Sequence, residues 1–422
     1  MTHCWKSATI VLLAIVCVGY ATGEDWPGFR GPAGNGIATD EAPPLTWNAT
    51  TNIKWKAALP RPANGSPIVS NGRVFVTSAQ DDDGHKRSLY CFDRTDGKQL
   101  WVHTVDFPKT MPTHKTNPYC GTTPAANGSV VVVWHASAGL VCLDFEGQEV
   151  WSRSLGEFEH TWGYGTSPVI YQDRIILHSG PGERVFIGAY ELKTGKTIWE
   201  VDEPQQGKDG SVREDGKYKG SWCTPIIASI DGKDQVICTM PTRVVAFDPS
   251  DGGVIWTCEG IRGPKGDLSY SQPLIGDGIL VAIGGFNGPG LGVRLGGQGN
   301  VTESNRLWRN ETNPQSIGSG VFLDGYIYRP NAGPGTFECL DPKTGSIVWT
   351  ERLDSCWGSI VHAAGRCYVT DQNGKTHVFK PNPEKYKGLA ANELGEPSNS
   401  TPAFSDGQIF IRTSGHLYCI GE

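Results

Sequence analysis

One hairpin pattern recurs along most of this chain, and it constrains the fold more than any other feature. In residues 337–349 an apolar strand ends at Leu340, a turn runs from Asp341 to Gly345, and a second apolar strand ends at Trp349. Related segments end in other tryptophans at intervals of roughly 40 to 57 residues, which is the repeat length of four-stranded propeller blades. The pattern therefore predicts a radial array of β-blades.

The number of blades follows from their first strands, which open with small polar residues and often a proline. Such starts occur at 65–67, 122–124, 166–168, 223–225, 271–273, 319–321, 358–360 and 400–402. The last unit ends one strand short, and Ile53–Leu59 reads as an outermost strand with no repeat before it. Pairing these two segments would close the ring and leave no long exposed edge. We expect an all-β, eight-bladed β-propeller of four-stranded blades, closed by the N-terminal strand.

Three segments differ in composition. Residues 1–23 contain Lys6, a short apolar run and then small residues, which predicts a cleaved secretory signal peptide and a periplasmic or secreted protein. Cys17 follows Val16 rather than a small residue, so lipid attachment is not expected. Residues 24–51, with several prolines, glycines and aromatic side chains, predict an irregular N-terminal strap. Residues 52–422 form the predicted propeller.

The charge balance narrows the range of partners. The net charge is −7 and the isoelectric point is about 5.8, whereas nucleic-acid binding needs a basic surface. The same balance disfavours a membrane surface, and no stable membrane insertion is expected. We expect a monomer whose partner is a protein, a glycan or a small molecule.

Residues that recur once per blade are expected to be structural. A repeated tryptophan can bury a large area between neighbouring blades, which is a more economical explanation than cofactor stacking. The predicted structural tryptophans are Trp55, Trp101, Trp151, Trp199, Trp256, Trp308 and Trp349. The turn residues Asp93, Asp144, Asp248 and Asp341 are expected to accept backbone N–H hydrogen bonds.

Cysteines and glycines give little support for metal or nucleotide sites. Cys91, Cys142, Cys339 and Cys419 share one repeat position, too far apart for disulfides, so we expect buried thiols. No C-x-x-C or H-E-x-x-H motif occurs, and no metal site is expected. The glycine-rich run 284–299 has no helix pattern after it, which argues against a phosphate loop. Residues 81–84 suit a hairpin tip better than a calcium site.

The candidate ligand site consists of residues that do not repeat and that precede the first strands, where they would border the central channel. Aromatic side chains with a few polar groups are typical of small-molecule or peptide sites. The alternative is that they seal the funnel against the strap. The candidate residues are His114, Lys115, Asn117, Tyr119, His160, Trp162, Tyr164, Trp222, Tyr270 and Trp357.

The repeated hairpin is similar to that of the pyrroloquinoline-quinone (PQQ)-like propeller superfamily, which includes quinoprotein alcohol dehydrogenases and an outer-membrane assembly lipoprotein. The segments 25–32, 162–168, 294–302 and 389–396 resemble exported members from planctomycete-type bacteria. The resemblance implies the fold over residues 52–422. The chain lacks the adjacent cysteine pair of the quinoproteins, and their calcium ligands and catalytic aspartate match no motif here.

These observations favour a non-catalytic scaffold that binds a protein segment, glycan or small ligand at the funnel face. No catalytic residue and no cofactor are predicted. One alternative is a PQQ-dependent or quinone-binding oxidoreductase, with calcium. Another is an envelope or outer-membrane protein assembly factor.

Overall fold

The computed structural model describes residues 25–39, 42–182, 184–203 and 212–422. It confirms the predicted all-β propeller with eight four-stranded blades. The predicted signal peptide lies outside the described residues. Within each blade the strands are antiparallel and run from the channel outward in chain order, with the closing strand of blade 8 as the exception.

The strand bounds are as follows. Blades 1 to 4 comprise Ile68–Ser70, Arg73–Ala79, Lys86–Asp93 and Gln99–Asp106; Ala125–Ala126, Val130–Trp134, Leu140–Asp144 and Glu149–Arg153; Val169–Tyr171, Arg174–His178, Phe186–Glu191 and Thr197–Asp202; and Ile226–Ile230, Lys233–Thr239, Arg243–Phe247 and Val254–Glu259. Blades 5 to 8 comprise Leu274–Gly276, Ile279–Ile283, Gly290–Arg294 and Arg306–Asn310; Val321–Leu323, Tyr326–Asn331, Thr336–Leu340 and Ile347–Arg352; Val361–Ala363, Arg366–Thr370, Lys375–Phe379 and Gly388–Glu393; and Ala403–Ser405, Gln408–Arg412, His416–Ile420 and Ile53–Ala58.

Five short elements among the described residues lie outside this pattern. Lys219–Ser221 and Asp267–Ser269 pair in parallel beside the channel, and Gly299–Asn300 adds to the outer strand of blade 4. A 3-10 turn spans Ala136–Ala138. The glycine-rich run contains the third strand of blade 5, and contrary to expectation a one-turn helix, Thr302–Asn305, follows it.

The repeated tryptophans form what we call the outer ring. Six of them donate an indole N–H bond of 2.7 to 3.1 Å to a backbone carbonyl in the hairpin turn of the next blade. The ring also packs on the turn glycine: a Cβ on Gly345 would lie 2.5 Å from the Trp308 ring. Trp256 differs, because its indole donates to Gln235 of its own blade at 2.9 Å.

A second ring of contacts, the inner ring, joins the blades at the channel. In seven of the eight blades a residue before the first strand supplies a hydroxyl that accepts a backbone N–H bond of 2.9 to 3.0 Å from the preceding blade. The hydroxyl residues are Ser66, Thr123, Ser167, Thr224, Ser319, Ser359 and Thr401. Blade 5 carries Gln272 at this position. The bond from Thr401 N–H to Ser66 joins blade 8 to blade 1.

The segment before the closing strand runs along the inner edges of the blades and across the channel. Trp26 exchanges two backbone hydrogen bonds with Val69 of blade 1, and Pro27 accepts one from Ala126 of blade 2. Further along, Ala38 donates to the carbonyl of His362 in blade 7. The segment therefore spans the axis from blade 1 to blade 7 before it joins blade 8.

The cysteines are buried free thiols, as their repeat position predicts. All ten cysteines among the described residues are free and buried. Burial raises the pKa of Cys91, Cys142 and Cys419 to about 12 and that of Cys339 to about 11, so these thiols are protonated at neutral pH. They fill the small apolar spaces between strands.

Candidate functional site

The inner ends of the blades enclose a cavity of about 350 Å³, which we call the central chamber. Gln272 and all of the inner-ring hydroxyl residues except Ser167 line it. Phe29 of the strap also lines the chamber. The chamber is therefore bounded by the same groups that join the blades, with the strap contributing an aromatic ring.

One wall of the chamber is an aromatic cluster built around Trp162. The ring centroid of Trp162 lies 4.5 Å from that of Tyr218, 4.9 Å from Phe286 and 5.9 Å from Trp222. Trp222 is held in place because its indole N–H donates to the carbonyl of Gly163 at 2.9 Å. The rings come from the entries to blades 3 and 4 and from the glycine-rich run.

Trp357 lines the chamber from the entry to blade 7 and is partly exposed. Among the described residues, no aromatic ring packs against it and its indole N–H makes no hydrogen bond. Unlike Trp222, Trp357 therefore has a face that a ligand can cover.

Amide side chains supply most of the remaining polar surface. They are Asn64, Asn117, Gln272, Gln315 and Asn399. Asn117 is fully used within the protein: its Nδ2 donates to the carbonyls of Trp162 at 2.7 Å and Tyr164 at 2.9 Å, and its Oδ1 accepts from Asn64 at 2.9 Å. Asn117 thereby fastens the loop 111–120 to the aromatic wall.

Among the described residues, those that line the chamber include no aspartate, glutamate, lysine or arginine. Arg30 of the strap lies behind Phe29, fully buried, and donates to the carbonyls of Asn35 at 2.9 Å and of Gly320. Burial lowers the pKa of Arg30 to about 9, so it is charged at neutral pH. Burial also raises the pKa of the Tyr270 phenol, which stays protonated.

The structure brings seven of the ten predicted site residues to the chamber and places three elsewhere. The seven are His114, Asn117, Trp162, Tyr164, Trp222, Tyr270 and Trp357. Lys115 is exposed on the loop. Tyr119 turns away and donates its hydroxyl to the carbonyl of Met111 at 2.5 Å. His160 lies behind Trp222, with the two rings edge to face at 4.8 Å.

Sequence reasoning missed Phe29, Phe286 and the amides other than Asn117. Phe29 belongs to the strap and Phe286 to the glycine-rich run, so neither precedes a first strand. The inner-ring hydroxyls had a signal, because each lies in the small polar start that defines a blade. That signal identifies blades, and only the closed ring shows that all of these side chains except Ser167 line one cavity.

Two acidic clusters lie outside the chamber. Ligand atoms of Asp354, Asp371 and His377 lie within 4.8 Å of one another. Both oxygens of Asp371 are already engaged, by His377 at 2.9 Å and by backbone N–H groups of the turn. Burial raises the pKa of Asp371, but these hydrogen bonds outweigh burial and leave it lowered. Asp81 accepts two backbone N–H bonds, as a hairpin tip requires.

Several known proteins are similar to this chain in sequence. A family model described as outer membrane protein assembly factor BamB matches residues 34–118 and 85–351. The quinoprotein alcohol dehydrogenase PedH of Pseudomonas putida is 24% identical over 164 residues, which cover 37% of this chain and 26% of that protein. The quinohemoprotein alcohol dehydrogenase ADH IIB of Pseudomonas putida is 21% identical over 331 residues, 73% of this chain and 45% of that protein. The chain spans less than half the length of these two curated relatives.

Solved structures show the same architecture. BamB from Moraxella catarrhalis superposes with a TM-score of 0.58 at 14% identity, covering 87% of this chain and 96% of that one. The quinohemoprotein alcohol dehydrogenase from Comamonas testosteroni gives 0.67 at 14% identity, covering 94% and 80%. At such identity the likeness concerns the fold alone. In the part of the chain that the structure describes, no helix has the length and apolarity to cross a membrane.

Proposed function

This chain belongs to the family described as outer membrane protein assembly factor BamB, within the PQQ-like propeller superfamily, and from that premise we propose that it is a non-catalytic binding protein. Its ligand is a neutral glycan held in the central chamber. Export to the periplasm or cell exterior is part of the proposal and depends on residues 1–23. Those residues lie outside the described part of the chain.

The observation that carries the proposal is the lining of the chamber. Aromatic faces and a few convergent polar groups are typical of small-molecule sites. Sugars present apolar C–H faces, which pack on aromatic rings, and hydroxyls, which hydrogen-bond with amide and hydroxyl side chains. Burial of an ionic ligand is unfavourable without a paired charge, and the described lining residues include no acidic side chain, lysine or arginine. A neutral polyhydroxylated ligand matches this surface.

The side chains that line the chamber give less support to the alternative of a quinone-dependent enzyme. Pyrroloquinoline quinone is a polycarboxylate, and its use with calcium requires acidic ligands near it. In the part of the chain that the structure describes, the chamber lining offers neither a carboxylate for the metal nor a lysine or arginine for the cofactor. The residues present therefore do not fit this group.

A role in envelope assembly is the second candidate, and the outer surface favours it. Several outer strands expose apolar side chains, including Leu100 at 42%, Val150 at 48% and Val254 at 51%. Exposed apolar residues on edge strands are a common basis for protein contacts. This role predicts that the protein co-purifies with outer-membrane assembly components and that Val150→Lys, on the edge strand of blade 2, weakens the association.

Trp357 provides the sharpest test of the glycan site. We expect a neutral oligosaccharide to change tryptophan fluorescence, and Trp357→Ala to raise its Kd about 10-fold because a stacking face is lost. Trp101→Ala, at the outer ring, is the matched control and should leave Kd unchanged. A panel of neutral and acidic oligosaccharides, titrated under the same conditions, identifies the class. Binding of acidic but not neutral members, or equal affinity in Trp357→Ala, would contradict the proposal.

A further inference from the structure

The strap lies on the far side of the inner ring from the loops that enter the blades. It makes backbone hydrogen bonds with Val69, Ala126 and His362, in the first strands of blades 1, 2 and 7. Each of these residues comes three positions after the inner-ring hydroxyl residue of its own blade. Three residues of a strand span roughly 10 Å. The strap therefore crosses the channel beyond the inner ring, at about this distance along the first strands.

A buried side chain of the strap, Arg30, attaches it to the opposite side of the channel. Its Nη2 donates to the carbonyl of Gly320, next to the inner-ring residue of blade 6. Its Nη1 lies 3.5 Å from Oε1 of Gln272, the inner-ring residue of blade 5. The backbone of Arg30 has a φ of +62°, which residues other than glycine rarely adopt unless their surroundings hold them there. Blades 1, 2, 5, 6 and 7 thus all hold the strap in place.

The central chamber ends at the level where the strap crosses. Among the described residues, none in the eight first strands lines the chamber, whereas the inner-ring residues and Phe29 of the strap do. The lining becomes more exposed away from the strap. The inner-ring side chains are buried, Trp357, Gln315 and Asn399 of the entry loops are half-buried, and His114 is exposed. The chamber therefore has a mouth between the entry loops and a floor made of the inner ring and Phe29.

The floor supplies hydrogen-bond donors to a ligand. Each inner-ring hydroxyl accepts a backbone N–H, and among the described residues no acceptor takes its own hydrogen. A hydroxyl is both a donor and an acceptor, so these groups still have a hydrogen to donate. The terminal unit of a glycan has one more hydroxyl than an internal unit, because it takes part in one linkage fewer. The floor therefore suits a terminal unit better than an internal one.

The shape of the chamber leads to the same conclusion. A polymer that binds through its middle needs a way out in both directions, and the strap closes one of them. The volume of about 350 Å³ is near the small end of the range for ligand pockets, roughly 300–1,000 Å³. This space suits the end of an oligosaccharide rather than a long segment of it.

We propose that the central chamber recognises the end of a neutral glycan. The terminal unit enters first and contacts Phe29 and the inner-ring hydroxyls, and the units that follow leave through the mouth past Trp357. This inference rests on the proposed function and narrows its ligand from neutral glycans in general to those with an accessible end.

Linear neutral glycans test this assignment in the unmodified protein. A glucan, a mannan and a galactan are each titrated as a disaccharide, a hexasaccharide and a long chain, with tryptophan fluorescence for Kd and sedimentation velocity for stoichiometry. In the series that binds, we expect the hexasaccharide and the long chain to have the same Kd per chain, with no more than one protein per glycan end. Several proteins on one chain would overturn the assignment to the glycan end and leave the chamber as a glycan site. If no member of any series binds, the proposed function fails instead, and this inference fails with it.

Phe29 tests whether the glycan reaches the floor. Phe29→Ala should raise the Kd of the disaccharide and that of the hexasaccharide by the same factor, about 5-fold, because both place their terminal unit on this ring. Phe107→Ala removes a phenyl ring of the same exposure class outside the chamber lining, so it is the matched control and should leave both Kd values unchanged. Unchanged Kd values in Phe29→Ala would overturn the assignment. If that variant does not fold, the stoichiometry on the long chain decides.

Discussion

The outer and inner rings join the same blades by different means. The outer ring relies on large aromatic side chains and tight glycine turns, whereas the inner ring relies on small hydroxyls that accept backbone N–H groups. Both depart from their pattern between blades 4 and 5, where Trp256 binds its own blade and Gln272 replaces a hydroxyl. The departures occur where the glycine-rich run adds a strand to blade 4 and where Gln272 faces the strap. Repetition thus maintains the ring, and loss of repetition marks where another segment enters.

The largest effect is expected at the irregular member of the outer ring. Trp256 is 1% exposed, whereas Trp101 is partly exposed. Trp256→Ala should lower the free energy of unfolding by about 4 kcal/mol, because it leaves a buried cavity and an unpaired Gln235. Trp101→Ala should cost about half as much. Urea denaturation measures both; an equal loss would mean that the irregular junction is packed no more tightly than the regular ones.

Alanine substitutions at two glycines can measure how much one regular outer-ring contact contributes to stability. Gly345 and Gly365 have nearly the same backbone conformation, with φ of +72° and +74°. A Cβ on Gly345 would lie 2.5 Å from the Trp308 ring, whereas a Cβ on Gly365 would meet nothing within 4 Å. Gly365→Ala should cost about 1 kcal/mol for backbone strain alone, and Gly345→Ala about 3 kcal/mol. Equal losses in urea denaturation would show that the tryptophan does not constrain the turn.

The inner ring is expected to contribute less per contact. Thr401 accepts the backbone N–H of Ser359 at 2.9 Å, and its own N–H donates to Ser66. Thr401→Val keeps the volume but removes the acceptor, so it should cost about 1–2 kcal/mol through an unpaired buried N–H. Thr401→Ser keeps the acceptor and should cost less than about 1 kcal/mol. If the two variants unfold at the same urea concentration, the hydroxyl bond is not what joins blades 7 and 8.

The sequence predicts the parts of this architecture that repeat. The hairpin ending in Trp349 defines the blade, and the short last unit together with Ile53–Leu59 defines the closure. The chamber is less predictable, because Phe29 and Phe286 reach it from segments with no periodic pattern. Their position depends on how the strap and the glycine-rich run pack against the ring, which is a tertiary effect that local spacing does not encode.

In blade 8 the closing strand Ile53–Ala58 is joined to the rest of the blade in part by a charged side chain. The carboxylate of Glu396 accepts from Thr413 at 2.6 Å, from Tyr418 at 3.1 Å, and from Lys56 of the closing strand at 3.2 Å. Partial burial raises the pKa of Glu396, but hydrogen bonds from Thr413, His416 and Lys56 outweigh it and lower the pKa to about 2 from a usual value of 4.5. The ionised group is therefore stabilised more in the folded than in the unfolded chain.

The lowered pKa of Glu396 predicts how the stability of the protein depends on pH, and this is the smallest effect that we expect. Because the folded pKa is lowered, the contribution of Glu396 is complete above about pH 4.5 and is lost as the pH falls towards 2. Glu396→Gln should cost at most about 1 kcal/mol at pH 7, since the group is partly solvated, and should lose less stability than the wild type between pH 5 and 2.5. Glu393→Gln, exposed beside Lys375 on blade 7, is the control and should follow the wild type. If Glu396→Gln instead shows the full acid response in urea denaturation, closure at blade 8 depends on the same neutral contacts as the other junctions.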